Sequence, residues 1–270
     1  RAESYFRRFS VIVYFYWGKY RKGLTLYQDL LDWEWFDRDE RETFSIRAYV
    51  ALMYLFTGQR ENACKSIREE VDRKTQNHMG EDLWLVYLIQ ACIFHLSAMG
   101  EETPAKEKDK MRQEAARSIN MARRYVSAFR ENHIFVRSVQ VIRELIALEP
   151  EGPEFQDEIR RILAGNEKLI PLAEEMMLAC LAGGLYDGEE WSKAEQFVRS
   201  SLADREMETA FTAYARLMLV LALQREGRRE EADAQMREVE AYQEENRLDW
   251  GLVPAGKMQE LRKFIKEDKS

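Results

Sequence analysis

Three stretches of this chain stop a helix at a glycine and restart it in the same way. The first runs Tyr14-Phe15-Tyr16-Trp17-Gly18-Lys19-Tyr20-Arg21-Lys22-Gly23 and continues to Tyr27 and Leu30. The second runs Tyr54-Leu55-Phe56-Thr57-Gly58-Gln59-Arg60-Glu61-Asn62-Ala63 and continues to Ile67. The third runs Leu223-Gln224-Arg225-Glu226-Gly227-Arg228-Arg229-Glu230-Glu231-Ala232 and continues to Met236 and Val239. A helical hairpin has no core of its own, so a chain that repeats one must bury the apolar face of each copy against the next. That requirement narrows the fold more than any other property of the sequence.

The spacing of the glycines gives the repeat length. Gly18 and Gly58 are 40 residues apart, Gly58 and Gly100 are 42, and Gly188 and Gly227 are 39. A period near 40 accommodates two helices of about four turns with short links. Six hairpins follow. They are 2–17 with 20–33, 40–57 with 60–75, 81–99 with 104–129, 132–148 with 153–166, 171–182 with 188–203, and 205–226 with 229–246. A last helix over 254–267 is expected to cap the stack. Thr103 is expected to cap the helix opening at Pro104, and Glu149-Pro150-Glu151-Gly152-Pro153 is expected to hinge the fourth hairpin. In the fifth, the turn falls either at Gly183-Gly184 or at Gly188. With 5 prolines and 13 glycines in 270 residues, breakers are too scarce for a many-stranded sheet. The expected fold class is all-α, an α-solenoid of about six stacked hairpins in a single domain over residues 1–270.

Within the helices, apolar residues recur at three- and four-residue steps. Ile46, Tyr49, Val50, Met53, Tyr54 and Phe56 do so in the second hairpin, and Phe211, Tyr214, Ala215, Met218, Leu219, Ala222 and Leu223 in the sixth. Small residues (Gly23, Ala63, Ala194, Ala232) stand where two helices of a hairpin must approach closely.

The segments around Gly18, Gly58 and Gly227 resemble tetratricopeptide repeats. That family's motif places a glycine at the hairpin turn, an aromatic two residues on, a small residue opening the second helix, and an aromatic or aliphatic residue four later. The first segment supplies Gly18, Tyr20, Gly23 and Tyr27, the second Gly58, Arg60, Ala63 and Ile67, and the third Gly227, Arg229, Ala232 and Met236. The clearest repeats cover 5–33, 45–75 and 210–242. The third to fifth hairpins depart from the motif, and the period exceeds the family's usual 34. In such stacks the first helix of each hairpin lines a concave surface that takes a protein or peptide. Carried over by position, the resemblance implies a partner-binding face of Tyr5, Arg8, Tyr16, Ser45, Tyr49, Tyr87, Gln90, Phe94, Tyr214, Gln224 and Arg225. It implies a non-enzymatic scaffold, the interaction arm of a larger regulatory protein. The alternative is a sensor that binds a small molecule or signalling peptide and relays it to an attached effector domain.

Charge and chemistry fit a protein partner. The net charge of −7 gives no dense positive footprint for nucleic acid. The apolar run from Leu83 to Ala98 is shorter than the roughly 20 residues of a membrane span and is interrupted by Gln90 and His95. Cys64, Cys92 and Cys180 are odd in number and lie in helical patterns, which points to a reducing, cytoplasmic setting without disulfides. Phosphate-binding glycine loops, H-E-x-x-H and C-x-x-C are all absent. Cys92 and His95 share a helix face, but two metal ligands without a second pair make no zinc site, so no cofactor is expected. The carboxylate pairs Glu174-Glu175 and Glu244-Glu245 read as solvated helix faces. Trp33 and Trp35 are expected to pack between the first two hairpins or to anchor a partner. The opening Arg1-Ala2-Glu3-Ser4 is read as the start of a piece of a longer protein.

Overall fold

The computed structural model describes residues 2–31, 45–76, 82–99, 103–130, 133–147, 168–203, 208–246 and 248. Among them are eleven α-helices and no strand. In chain order these are α1 (Ala2–Tyr16), α2 (Tyr20–Leu31), α3 (Ile46–Phe56), α4 (Arg60–Gln76), α5 (Leu83–Met99) and α6 (Ala105–Val126). Then follow α7 (Ile134–Ala147), α8 (Pro171–Asp187), α9 (Trp191–Leu202), α10 (Ala210–Arg225) and α11 (Arg229–Asn246). The hinge at 149–153, the helix at 153–166 and the capping helix at 254–267 lie outside the described residues, as do Trp33 and Trp35. None of the described helices is long and apolar enough to cross a membrane.

Four hairpins close through one turn. Gly18, Gly58 and Gly227 all have left-handed backbones, with φ of 63°, 79° and 76°. At the first, the Gly18 N–H donates to the Phe15 carbonyl and the Lys19 N–H reaches back to Tyr14, at 3.0 and 2.9 Å. This is the Schellman termination, which satisfies the last carbonyls of a helix and needs a left-handed residue. The next residue starts the following helix, because the Lys19 carbonyl accepts from the Gly23 N–H. The same three bonds recur at Gly58 (Gly58 to Leu55, Gln59 to Tyr54, Ala63 to Gln59) and at Gly227 (Gly227 to Gln224, Arg228 to Leu223, Ala232 to Arg228).

The fourth copy has no glycine at the turn. Glu189, with φ of 57°, donates to Tyr186, Glu190 donates to Leu185, and Ala194 donates to Glu190. Of the two turns expected for this hairpin the Gly183-Gly184 one is not used, and Gly188 ends α8 inside the turn, one residue before the left-handed position. Gly183 and Gly184 run on inside α8, and Gly188 keeps a φ of −75°. Counting from Glu189 restores the motif: Trp191 is the aromatic two residues on, Ala194 the small residue, and Val198 the aliphatic. Trp191 and Val198 belong to the apolar core there.

The chain forms two compact units, one built on α1 to α6 and one on α7 to α11. In the first, α1 packs on α2, both pack on α3, and α3 packs on α4. First and second helices are buried differently. On α3, Ile46, Ala48, Tyr49, Val50, Ala51, Leu52, Met53, Leu55 and Phe56 are all buried, so the helix is covered on nearly every side. On α4 only one stripe is buried, carried by Ala63, Cys64, Ile67, Glu70, Val71 and Lys74. An inner helix apolar all round beside an outer amphipathic one is the layering a hairpin repeat requires. Gly23 allows α2 to close on α3, since a Cβ there would sit 2.7 Å from the Met53 sulfur. In the second unit α8 packs on α10, α9 packs on both, and α7 packs on α8. There α10 is the inner helix, and Ala232, Met236 and Val239 of α11 complete its core.

Two helix starts differ from expectation. Pro104 itself is the residue before α6, and Thr103 does not cap the helix. Its hydroxyl instead donates to the Ser97 carbonyl at 3.0 Å and accepts from Arg60, tying the α4 start to the α5 end. Thr209 caps α10 through a reciprocal pair of bonds with Thr212.

Candidate partner-binding face

Tyr16 ends α1, and Tyr49 sits on the second turn of α3. Their rings meet edge to face at 5.7 Å and their hydroxyls are 3.0 Å apart. Phe15, Tyr20 and Phe56 complete an aromatic cluster, with Phe15 5.1 Å from Tyr49 and Tyr20 5.2 Å from Phe56. Rings of this kind fix one another's orientation beyond simple area burial. Burial raises the Tyr49 pKa, and the Asp82 charge adds to that rise against the lowering effect of the Tyr16 hydrogen bond. Tyr49 therefore stays a protonated hydrogen-bonding phenol.

One helical turn before Tyr49, Ser45 faces the same way. Its backbone N–H and its Oγ both donate to Asp82 Oδ2, at 3.2 and 2.5 Å. Asp82 immediately precedes α5, and its carboxylate also accepts from the Nζ of Lys74 in the last turn of α4. Lys74 is 2% exposed, so the pair is largely withdrawn from water on the lysine side. Tyr16, Tyr49, Ser45 and Asp82 thus form a row of polar groups across α1, α3 and the start of α5. The bonds join them as two sets, Tyr16 with Tyr49 and Ser45 with Asp82. Ser45 and Tyr49 are buried, at 1% and 7% exposed, so these two expected partner-binding positions face the interior, and Tyr16 and Asp82 are the members that reach the surface.

The other positions on α5 are committed to packing. Phe94 is fully buried with the Arg68 guanidinium 4.8 Å from its ring centre. Gln90 is buried and its Oε1 accepts from Ser118 of α6 at 2.9 Å. Tyr87 is half-buried and stacks on Tyr125 at 5.7 Å. His95 is half-buried beside them, and desolvation followed by the Arg112 charge lowers its pKa to about 4. Cys92 is fully buried, and burial raises the thiol of Cys64, whose sulfur is 4.0 Å from Ser97 Oγ. All three cysteines are free thiols. Among the described residues no three His, Cys, Asp or Glu side chains converge as metal ligands.

In the second unit, Tyr214 is half-buried against the core, Gln224 is half-buried, and Arg225 is exposed with its Nε 3.3 Å from the Tyr186 hydroxyl. Arg8 in the first unit is buried, and the Tyr5 side chain lies outside the described residues. The structure thus brings Tyr16 and Tyr49 together, with Ser45 buried one turn before Tyr49, and leaves Tyr214 about three helical turns from Gln224 and Arg225 in the other unit. Asp82 and Lys74, which join the first group, carry no sequence signal beyond their charge. Also missed were Phe6, Phe9 and Trp17, whose side chains are 71%, 50% and 46% exposed. A spacing of three to eight residues on one helix marks them as a stripe, but it reads equally as a buried one.

The sequence matches no protein-family model, and no curated protein matches it closely enough to count as a relative.

Proposed function

We propose that this chain is a non-enzymatic scaffold that binds a protein or peptide, built as a tetratricopeptide-like superhelix whose first helices line the recognition face. The turn shared by four hairpins supports the architecture. The observation that carries the binding role is the pair of half-buried groups Tyr16 and Asp82, each held in place by a buried hydroxyl behind it, Tyr49 for the first and Ser45 for the second. A hydroxyl and a carboxylate held in this way recognise the backbone and side-chain amides of an extended or helical peptide, and the adjoining rings supply apolar area. Arg225, exposed at the end of α10 beside Tyr186, offers a second point suited to a carboxylate. In this reading the protein is an interaction arm whose partner is met by shape and hydrogen bonding, with no chemistry performed.

A photo-cross-linkable phenylalanine analogue placed at Tyr16, with a control at the exposed Asp72 on α4, tests this in a lysate of the source cells. Discrete protein or peptide adducts from position 16 and none from position 72 are expected. Adducts of equal yield from both positions, or none from either, would contradict the proposal.

A further inference from the structure

The α1 helix has two apolar sides, and the core uses only one. Val11 and Phe15 point into the first unit and are buried. Phe6, Phe9, Val13 and Trp17 recur at steps of three and four on the other side, where Phe6, Phe9 and Trp17 are strongly exposed and Val13 half-exposed. The stripe covers about 16 Å at 1.5 Å per residue, three turns of helix. Trp17 is steadied by an edge contact with Tyr14 at 6.4 Å. Rings of this size in open water mark a docking surface when they are contiguous.

The charge around the stripe is one-sided. From Ser4 to Gln28 the chain holds five cations (Arg7, Arg8, Lys19, Arg21 and Lys22) and no aspartate or glutamate, although the whole chain carries −7. Arg21 and Lys22 are exposed, directly beyond Trp17 and its turn. We infer that the outer face of α1 docks an amphipathic helix of a partner protein, its apolar side on Phe6, Phe9 and Trp17 and its acidic flank toward the cationic end of the stripe. A helix laid along this face has anchors spaced to match, and a carboxylate-rich flank meets the exposed Arg21 and Lys22. Two other occupants fit the charges less well. An isologous second copy would bring no acidic side chain from residues 4–28 to the exposed Arg21 and Lys22. An anionic membrane would repel the remaining surface of a chain with net charge −7. The inference concerns a surface separate from the Tyr16 row and stands whether or not that row binds a peptide.

The test uses the full chain and two synthetic helices of about 18 residues with the same leucine face, one flanked by glutamates and one by lysines. Binding is read by fluorescence anisotropy. The glutamate helix is expected to bind at least about tenfold tighter than the lysine helix, with the difference shrinking as salt is raised. A Phe6→Ser, Phe9→Ser double variant should weaken it by about tenfold or more, and so should Arg21→Glu with Lys22→Glu. All four positions are exposed, so unchanged circular dichroism is expected for both variants. Equal binding of the two helices, or binding of neither, would overturn the proposal. So would association with phosphatidylserine vesicles in place of the peptide, or a concentration-dependent dimer abolished by the Phe6/Phe9 variant.

Discussion

The first unit joins α4 to the start of α5 through a buried lysine, and the second joins α9 to α11 through two arginines 37% to 41% exposed. In the first, Lys74 is 2% exposed and meets Asp82, which also holds the N–H and hydroxyl of Ser45. Within α4, Glu70, 1% exposed, is bridged by Arg73 one turn on at 2.9 Å through two nitrogens. In the second, Arg199 and Arg228 link α9 to the start of α11 through Glu195 and Glu231, all at the surface or nearly so. Burial tends to raise the Glu195 pKa, but hydrogen bonds from Arg228 and Arg199 outweigh it and hold the carboxyl below its ordinary value. The same kinds of side chain are thus used to opposite ends. A buried pair punishes the loss of one member severely, whereas an exposed network is screened and replaceable.

The largest effect that sharpens this contrast is Asp82→Ala, which strands the Lys74 ammonium and the Ser45 donors away from water. It should cost about 3 kcal/mol in denaturant unfolding, with faster hydrogen exchange in α3 to α5. A change below about 1 kcal/mol would break the distinction. Next is the pH dependence of His95, whose folded pKa of about 4 lies below the ordinary 6.5. Between those values the unfolded chain binds the proton and the folded chain does not. Stability is therefore full above pH 6.5 and falls as the pH drops toward 4, by about 3 kcal/mol from this group. His95→Gln should flatten the slope of stability across that window relative to the parent, and an unchanged slope would place the histidine in water. Smallest is the second unit's network. Arg228→Ala should leave the unfolding midpoint of the second unit nearly unmoved at an ionic strength of about 1 M, where the screening length is about 3 Å. A large loss there would mean that the surface arginines hold the unit together.

The hairpins were legible in the sequence because their turns depend on backbone chirality. Only glycine takes a left-handed φ without penalty, so Gly18, Gly58 and Gly227 announced themselves. The left-handed residue of the fifth hairpin was missed for the same reason, although its turn lies within one residue of Gly188. Its left-handed residue is Glu189, and the nearby Gly183, Gly184 and Gly188 drew the eye to ordinary helical or turn backbone. The helices themselves followed from apolar spacing, to within a few residues at most ends. The site was read less completely. Helical phase brought Ser45 and Tyr49 onto one face, but whether Gln90 or Phe94 is open or covered depends on partners such as Ser118 and Arg68 in other helices. Asp82 joins the row through contacts made between residues 8 to 37 positions apart, which no local pattern encodes. For the outer face of α1, periodicity located the rings and could not say which stripe the core would take.

The central claim is that one turn, repeated, sets four of the hairpins, with Glu189 standing where the other three have glycine. Paired unfolding midpoints of Glu189→Gly and Gly227→Ala test it most directly. A Cβ at Gly227 meets nothing within 4 Å, so that substitution reads backbone strain alone. The account predicts that Gly227→Ala lowers stability by about 1 kcal/mol and that Glu189→Gly raises it by a comparable or somewhat smaller amount. Loss of stability in both variants, or no change in either, would contradict it.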